Sequence, residues 1–538
     1  MQKHEQSGAG RALRRWLVAF AIVSMSGSGR AAAVPPTITE IPPGSGLHGH
    51  PYDAVPATPI IPGAPFIDLA ARGYVEREFK MSGGATVYRP VGFWGSNGRW
   101  SVAVSQQNVP YTTRLLVRYP TDPAKFNGTV VFEWLNITTG GDQDPVWSLT
   151  YEELLREGYA YVGVSPQASA MDFLQTWDPV RYAGLASSND GQSYDIFTQA
   201  ARVVRDNSAA VLGGLTPRRL IGAGDSQSAF RIVTYANAIQ PLSRAYDGLI
   251  PVGRGGPPAP LGNGLVATAP LGAQIRTDST TAVLQIVTEG DIVELLAAAA
   301  RQPDNTYLRT WELAGAAHID SHEAQYELAT IARDLPGVPV PRCAFGTPIT
   351  GTGTVLDGVN QVNDMPLFEL VSAAMSAMHR WLALGVAPPH SPRVATVPIL
   401  FTVFDVVLRD PNGNALGGIR LPEIEAPTQR YSPINVADPG SLSIDANPIA
   451  IFNQVQSVLT TLTTTARIDD PTVREAGLCL LSGFFLELDP ATLDRLYSSH
   501  ADYVAKYTAA AKAARDAGFI TEADYEASIA RAAAAPVP

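Results

Sequence analysis

The chain has 538 residues, of which 46% are hydrophobic and 17% charged, and its formal net charge is −11. That balance supports a large buried core and argues against global disorder. The acidic surface argues against nucleic acid or anionic membrane as a partner.

In chain order, the first segment reads as an export signal. Arg11, Arg14 and Arg15 precede the apolar run "WLVAFAIVSM" (Trp16–Met25), and "SGSGRAAA" offers an A-x-A-like cleavage site after Ala33. A signal peptide over residues 1–33 predicts a secreted or periplasmic protein, and the apolar run is too short to anchor it in a bilayer. Loss of its five basic residues and one acidic residue takes the net charge from −11 to −15. Residues 34–63 are rich in Pro and Gly and read as an extended arm, with one large domain expected over 64–538.

Four runs follow with the β-branched, aromatic and alternating character of antiparallel strands: "GYVEREFKM", "ATVYRPVGF", "RWSVAVSQQ" and "TRLLVRYP". From Gly128 the pattern changes. Continuous apolar strands ("GTVVFEWLN", "YAYVGVSP", "RRLIGAG", "YDGLIPVG", "AVLQIVTEG", "YLRTWELAG") alternate with helical periodicities ("SLTYEELLREG", "SYDIFTQAARVVRDN", "SQSAFRIVTYANAI", "DIVELLAAAAR"). That alternation predicts a mostly parallel sheet covered on both faces, an α/β fold with its core over about 110–325. Beyond it, "DMPLFELVSAAMSAMHRWLALG" predicts an amphipathic helix, "ILFTVFDVVLRDPNGNALGGIRLP" strands and turns, and the last fifty residues two helical stretches. These are expected to decorate the core or cap it.

The chemistry centres on Gly224-Asp225-Ser226-Gln227-Ser228, between a buried strand and a helix. This is close to the G-x-S-x-G nucleophile elbow, with the small Ser228 in place of the second glycine. The elbow presents the serine hydroxyl at the end of the sheet. The alternative is a helix N-cap serine. A nucleophilic serine needs a base and an orienting acid, and on this fold the chain order is Ser, acid, His. His318, just past "WELAG", is where the fold delivers its histidine; His379 lies mid-helix and His390 in a loop. The acid comes from Thr288-Glu289-Gly290-Asp291: Asp291 fits best and Glu289 is the alternative. The oxyanion is expected on the N–H groups of Gln227 and Asn136, with Leu135 next in line after Asn136. His322, four residues past His318, is expected to be a solvated helix residue; a metal site there lacks further ligands. A calcium loop at Asp410, Asn412 and Asn414 lacks the downstream Glu, and a tight hairpin is expected instead. The two cysteines, Cys343 and Cys479, are free or paired, since export permits a disulfide. Trp94, Trp134 and Trp147 are read as core or pocket residues.

The segments "FNGTVVFEWLN", "GAGDSQSAFRIVTYANAI", "TEGDI", "WELAGAAHID", "GVNQVNDMPLFELVSAAMSAMHRWLALGVAPP" and "DPNGNALGGIRLP" together resemble a mostly bacterial family of alpha/beta-hydrolase domain proteins, over about residues 60 to 525. The resemblance implies a secreted or periplasmic serine hydrolase of the α/β-hydrolase fold. It places the family's glycine-Asp/Glu-serine-Gln-serine elbow on Gly224–Ser228 and its histidine on His318. The expected activity is cleavage of a small-molecule carboxylic ester through an acyl-enzyme, without a cofactor or metal. An amidase, lactonase or acyltransferase would use the same three residues; a lyase or a non-catalytic binding protein would use the fold without the acyl intermediate.

Overall fold

The computed structural model describes residues 35–54, 67–138, 140–262, 270–337, 362–398, 405–435, 477–478 and 480–537. The segment read as an export signal, Cys343 and Cys479 lie outside them. The centre is a nine-stranded sheet in the order β1-β2-β3-β5-β4-β6-β7-β8-β9. Its strands are β1 (Thr37–Ile41), β2 (Tyr74–Val91), β3 (Ser101–Pro120), β4 (Thr129–Trp134), β5 (Ala160–Val164), β6 (Arg219–Asp225), β7 (Gly248–Val252), β8 (Ala282–Thr288) and β9 (Leu308–Leu313). Strands β1 to β3 pair antiparallel, and β3 also pairs antiparallel with β5. The six from β4 to β9 run parallel.

The continuous apolar runs arise because both faces of these strands are covered. Side chains of β4 divide between two cores: Val130, Phe132 and Trp134 enter one, Val131 the other. In β8, Val283 faces the first core, and Ala282, Leu284 and Ile286 the second. The helix Ser193–Asp206 contributes Ile196, Phe197, Ala200, Val203 and Val204 to the first core. The helix Leu367–Leu384 contributes Leu370, Val371, Ala374, Met375 and Met378 to the second. Trp94, Trp134 and Trp147 are all fully buried. Trp94 stacks on Trp100 at 4.5 Å between ring centroids, and Trp134 and Trp147 pack within the sheet's cores, so these residues are framework.

The segment read as an arm supplies β1 at the sheet edge. Past it, Asp178 Oδ2 accepts from the Leu47 N–H at 2.6 Å, and Arg118 donates to the Asp53 carbonyl at 2.9 Å. Asp410 is the corner of a hairpin. Its Oδ1 accepts from the N–H groups of Asn412 and Asn414, and its Oδ2 pairs with Arg420 at 3.0 Å. That carboxylate is committed to the turn. Among the described residues no helix is long and apolar enough to cross a membrane.

Candidate active site

The residue after β6 is Ser226, with φ 54° and ψ −121°. A non-glycine residue there is strained by about 1–3 kcal/mol, which the surroundings must offset. Its N–H donates to the Val252 carbonyl of β7 at 3.0 Å, tying the turn to the sheet. The helix Gln227–Thr234 then folds back so closely that a Cβ on Gly224 would meet Ser228 at 3.0 Å. Small residues at 224 and 228 make this approach possible. The Ser226 hydroxyl does not cap the helix. It points at His318, with Oγ 2.8 Å from Nε2.

His318 lies in the loop after β9, and its Nδ1 is 2.5 Å from Asp291 Oδ1. Asp291 opens the helix Glu289–Glu294 through a capping box with Thr288: the Asp291 N–H donates to Thr288 Oγ1, and the Thr288 N–H donates to Asp291 Oδ2 at 2.6 Å. One carboxylate oxygen is held by backbone and the other faces the imidazole. Asp291 and His318 are buried, whereas Ser226 is half-buried. Burial pulls the His318 imidazole down, but the charge of Asp291, its hydrogen bond and the charge of Asp225 outweigh it and leave the group raised.

Glu289, the alternative acid, is engaged elsewhere. It accepts from the Gly315 N–H at 2.7 Å and pairs with Arg409 at 2.5 Å. As the first residue of the helix, it projects away from the imidazole that Asp291, two residues on, can reach.

The expected oxyanion donor Asn136 requires correction. Its N–H donates to the Gln143 carbonyl at 2.8 Å, closing an isolated bridge, and the Leu135 N–H donates to Val164 at 3.0 Å. The next N–H, that of Ile137, has no acceptor among the described residues, nor does that of Gln227. Asn136 instead works through its side chain. Nδ2 donates to the Asp225 carbonyl at 3.0 Å, and Oδ1 accepts from the Thr138 N–H at 2.7 Å. Ser228 Oγ donates to the Leu135 carbonyl at 3.2 Å. The loop after β4 is therefore stitched to both sides of the elbow.

The other histidines stand apart. His322 is half-buried rather than solvated: it stacks on Phe368 at 4.2 Å and donates from Nε2 to the Ser148 carbonyl. His379 is 2.8 Å from Thr129 Oγ1, and the exposed His390 pairs with Asp304 at 2.9 Å. Among the described residues no group of three His, Cys, Asp or Glu side chains is arranged to hold a metal ion.

Asn363 escaped the sequence reading. Its Nδ2 donates to the carbonyls of Gly315 and Ser432, its carbonyl accepts from the Ser321 N–H, and its own N–H donates to Ser482. It thus joins the His318 loop to two distant segments. Nothing in "GVNQVND" marks one asparagine as a junction.

A serine at a strained strand-to-helix turn, hydrogen-bonded to a histidine that is bonded to an aspartate, on a parallel sheet with antiparallel leading strands, defines the α/β-hydrolase class. The sequence matches the family described as alpha/beta hydrolase domain over residues 38–530, and the chain belongs to that family. Solved structures that the chain matches include XC6422 from Xanthomonas campestris, described as an α/β serine hydrolase without a lid. It is 16% identical, with 47% of this chain and 97% of that one covered and a TM-score of 0.26. A serine hydrolase homologue from Coxiella burnetii is 14% identical, covering 42% and 92% at a TM-score of 0.26. A glucuronoyl esterase from Solibacter usitatus is 11% identical, covering 45% and 76% at a TM-score of 0.24. No curated protein matches the chain.

Proposed function

We propose that this protein is an exported serine hydrolase that cleaves a carboxylic ester through an acyl-enzyme. The observation that carries the reading is the hydrogen-bonded series Ser226 Oγ–His318 Nε2, His318 Nδ1–Asp291 Oδ1, at 2.8 and 2.5 Å. Ser226 Oγ attacks the ester carbonyl as its proton passes to His318 Nε2. Asp291 stabilises the resulting imidazolium and fixes the tautomer that leaves Nε2 free to accept. The tetrahedral oxyanion takes hydrogen bonds from the N–H groups of Gln227 and Ile137, both without protein acceptors among the described residues. Collapse breaks the bond to the alcohol oxygen, which receives the proton from Nε2. Water, deprotonated by the same nitrogen, then attacks the acyl carbon and releases the acid and free Ser226. Export, with cleavage after Ala33, is supported by the basic and apolar pattern of the first residues.

The test is labelling of the purified mature protein with a fluorophosphonate, beside Ser226→Ala, with mass mapping of the labelled peptide and a panel of esters. The expected result is label on Ser226 that the variant loses. A folded protein that takes no label sinks the serine-hydrolase reading.

A further inference from the structure

Besides Asp291, a second carboxylate lies beside the imidazole. Asp225, the last residue of β6, is 2% exposed, and its Oδ1 is buried without a hydrogen-bond partner. An unpaired carboxylate oxygen in that setting is costly and calls for a favourable neighbour. The neighbour is across Gly253. A Cβ built on Gly253 would lie 2.7 Å from Asp225 Oδ1 and 2.9 Å from His318 Cε1. The oxygen and the ring carbon therefore flank one small volume that this glycine, at φ 58°, leaves empty. Any side chain there would wedge carboxylate and ring apart.

We propose that Asp225 is a positioning residue that acts on His318 from the Cε1 side, holding a second negative charge against the imidazolium as the ring takes up the serine proton. The proposal rests on the role assigned to His318 above. The charge that develops on the ring is shared between Nδ1, Nε2 and the carbon between them. Asp291 meets it at Nδ1, while Nε2 must stay open to Ser226 and the leaving group. Cε1 is the one edge where further negative charge can stand without blocking a proton path. Low dielectric around buried groups makes such a charge effective over a few ångströms.

The groups that face this pair come from several elements. Asp291 approaches from the helix Glu289–Glu294, and Asp320 from the histidine loop. Glu323 and Glu327 approach Asp225 from the helix Ser321–Asp334. Arg254, next to Gly253, interacts with Asp291. Burial raises Asp225 to about 7, against the charge of His318, which lowers it. The carboxylate is thus poised to ionise in the range where the histidine titrates.

The experiment is an NMR titration of the mature protein carrying 13Cε1-histidine, with the His318 signal identified by its loss in His318→Gln. In Asp225→Asn the His318 midpoint should fall by about one pH unit, since removal of a nearby anion disfavours the imidazolium. A folded Asp225→Asn protein with an unchanged midpoint overturns the proposal. If that variant does not fold, Gly253→Ala decides, because its added Cβ would part the carboxylate from the ring. The His318 midpoint should fall there too, and an unchanged midpoint in the folded variant overturns the proposal. The titration needs no substrate, so absence of ester turnover or of fluorophosphonate label would count against the hydrolase reading and leave this result readable.

Discussion

At the scale of single residues, the site separates two neighbouring carboxylates by role. Asp291 reaches the imidazole, and Glu289 ties the Gly315 N–H to Arg409. Asp291→Asn should lower kcat by about 10³- to 10⁴-fold, because the amide no longer fixes the tautomer or stabilises the cation. Glu289→Gln should keep kcat within a few-fold of wild type and lower stability by about 1–3 kcal/mol, read by urea unfolding. The reverse pattern would reassign the acid. The raised imidazole also sets a pH dependence. Only the neutral ring accepts the serine proton, so kcat/KM should rise with pH through a midpoint above the ordinary histidine value of about 6.5. A midpoint below that value would mean that desolvation outweighs the two carboxylates.

At the scale of elements, the histidine loop is held from outside the sheet. Asn363 bonds Gly315 and Ser321 on one side and Ser432 and Ser482 on the other, and Ile319 N–H donates to the Leu481 carbonyl. Asn363→Ala should slow labelling of Ser226 by about 10- to 100-fold, as a small displacement of His318 spoils its alignment. Asn414 is an equally buried junction, donating to the Gln429 carbonyl and accepting from the Tyr431 N–H. Among the described residues it has no hydrogen bond to the histidine loop, so Asn414→Ala should destabilise the protein and leave labelling within about twofold. Equal losses from both variants would make the Asn363 effect one of general stability. The parallel strands were legible because burial on both faces leaves unbroken apolar runs, and the elbow because its small residues are local. Contacts made at long range were not. "DIVELLAAAAR" reads as one helix, but the helix stops at Glu294 and Leu296 turns to φ 60°. There the Leu295 carbonyl accepts from the Gly256 N–H of the loop after β7. The four leading runs are two long strands, with Gly83 and Gly84 paired to Tyr111 and Pro110 where a turn would be expected. Asn136 lies beside the elbow, but its N–H donates to Gln143, a partner that only the folded loop reveals.

At the scale of the whole molecule, composition gave a low charge content but not where the charges go. Several carboxyls are buried with raised proton affinity: with burial as the largest cause, Asp142 stands at about 6 and Glu369 at about 8, and Glu133, Glu294 and Glu323 are held well above the carboxylate range. In the unfolded chain these groups titrate near 4. Between that value and the raised ones the folded state binds more protons than the unfolded state, so stability falls as pH rises through the window. The surface acids that titrate low, the half-buried Asp502 and the exposed Asp516 among them, act in the opposite sense, but only below about pH 4. From pH 6 upward the buried groups decide the sign, since each must either keep its proton or bear a charge in a poorly solvated place. Thermal unfolding of the protein should therefore show a Tm at pH 8.5 about 5 °C or more below that at pH 6. Glu294→Gln, which keeps the shape of a carboxyl whose oxygens have no hydrogen-bond partner, should reduce that difference. A Tm that climbs from pH 6 to 8.5 would require the buried carboxyls to be ionised and compensated by the interior arginines.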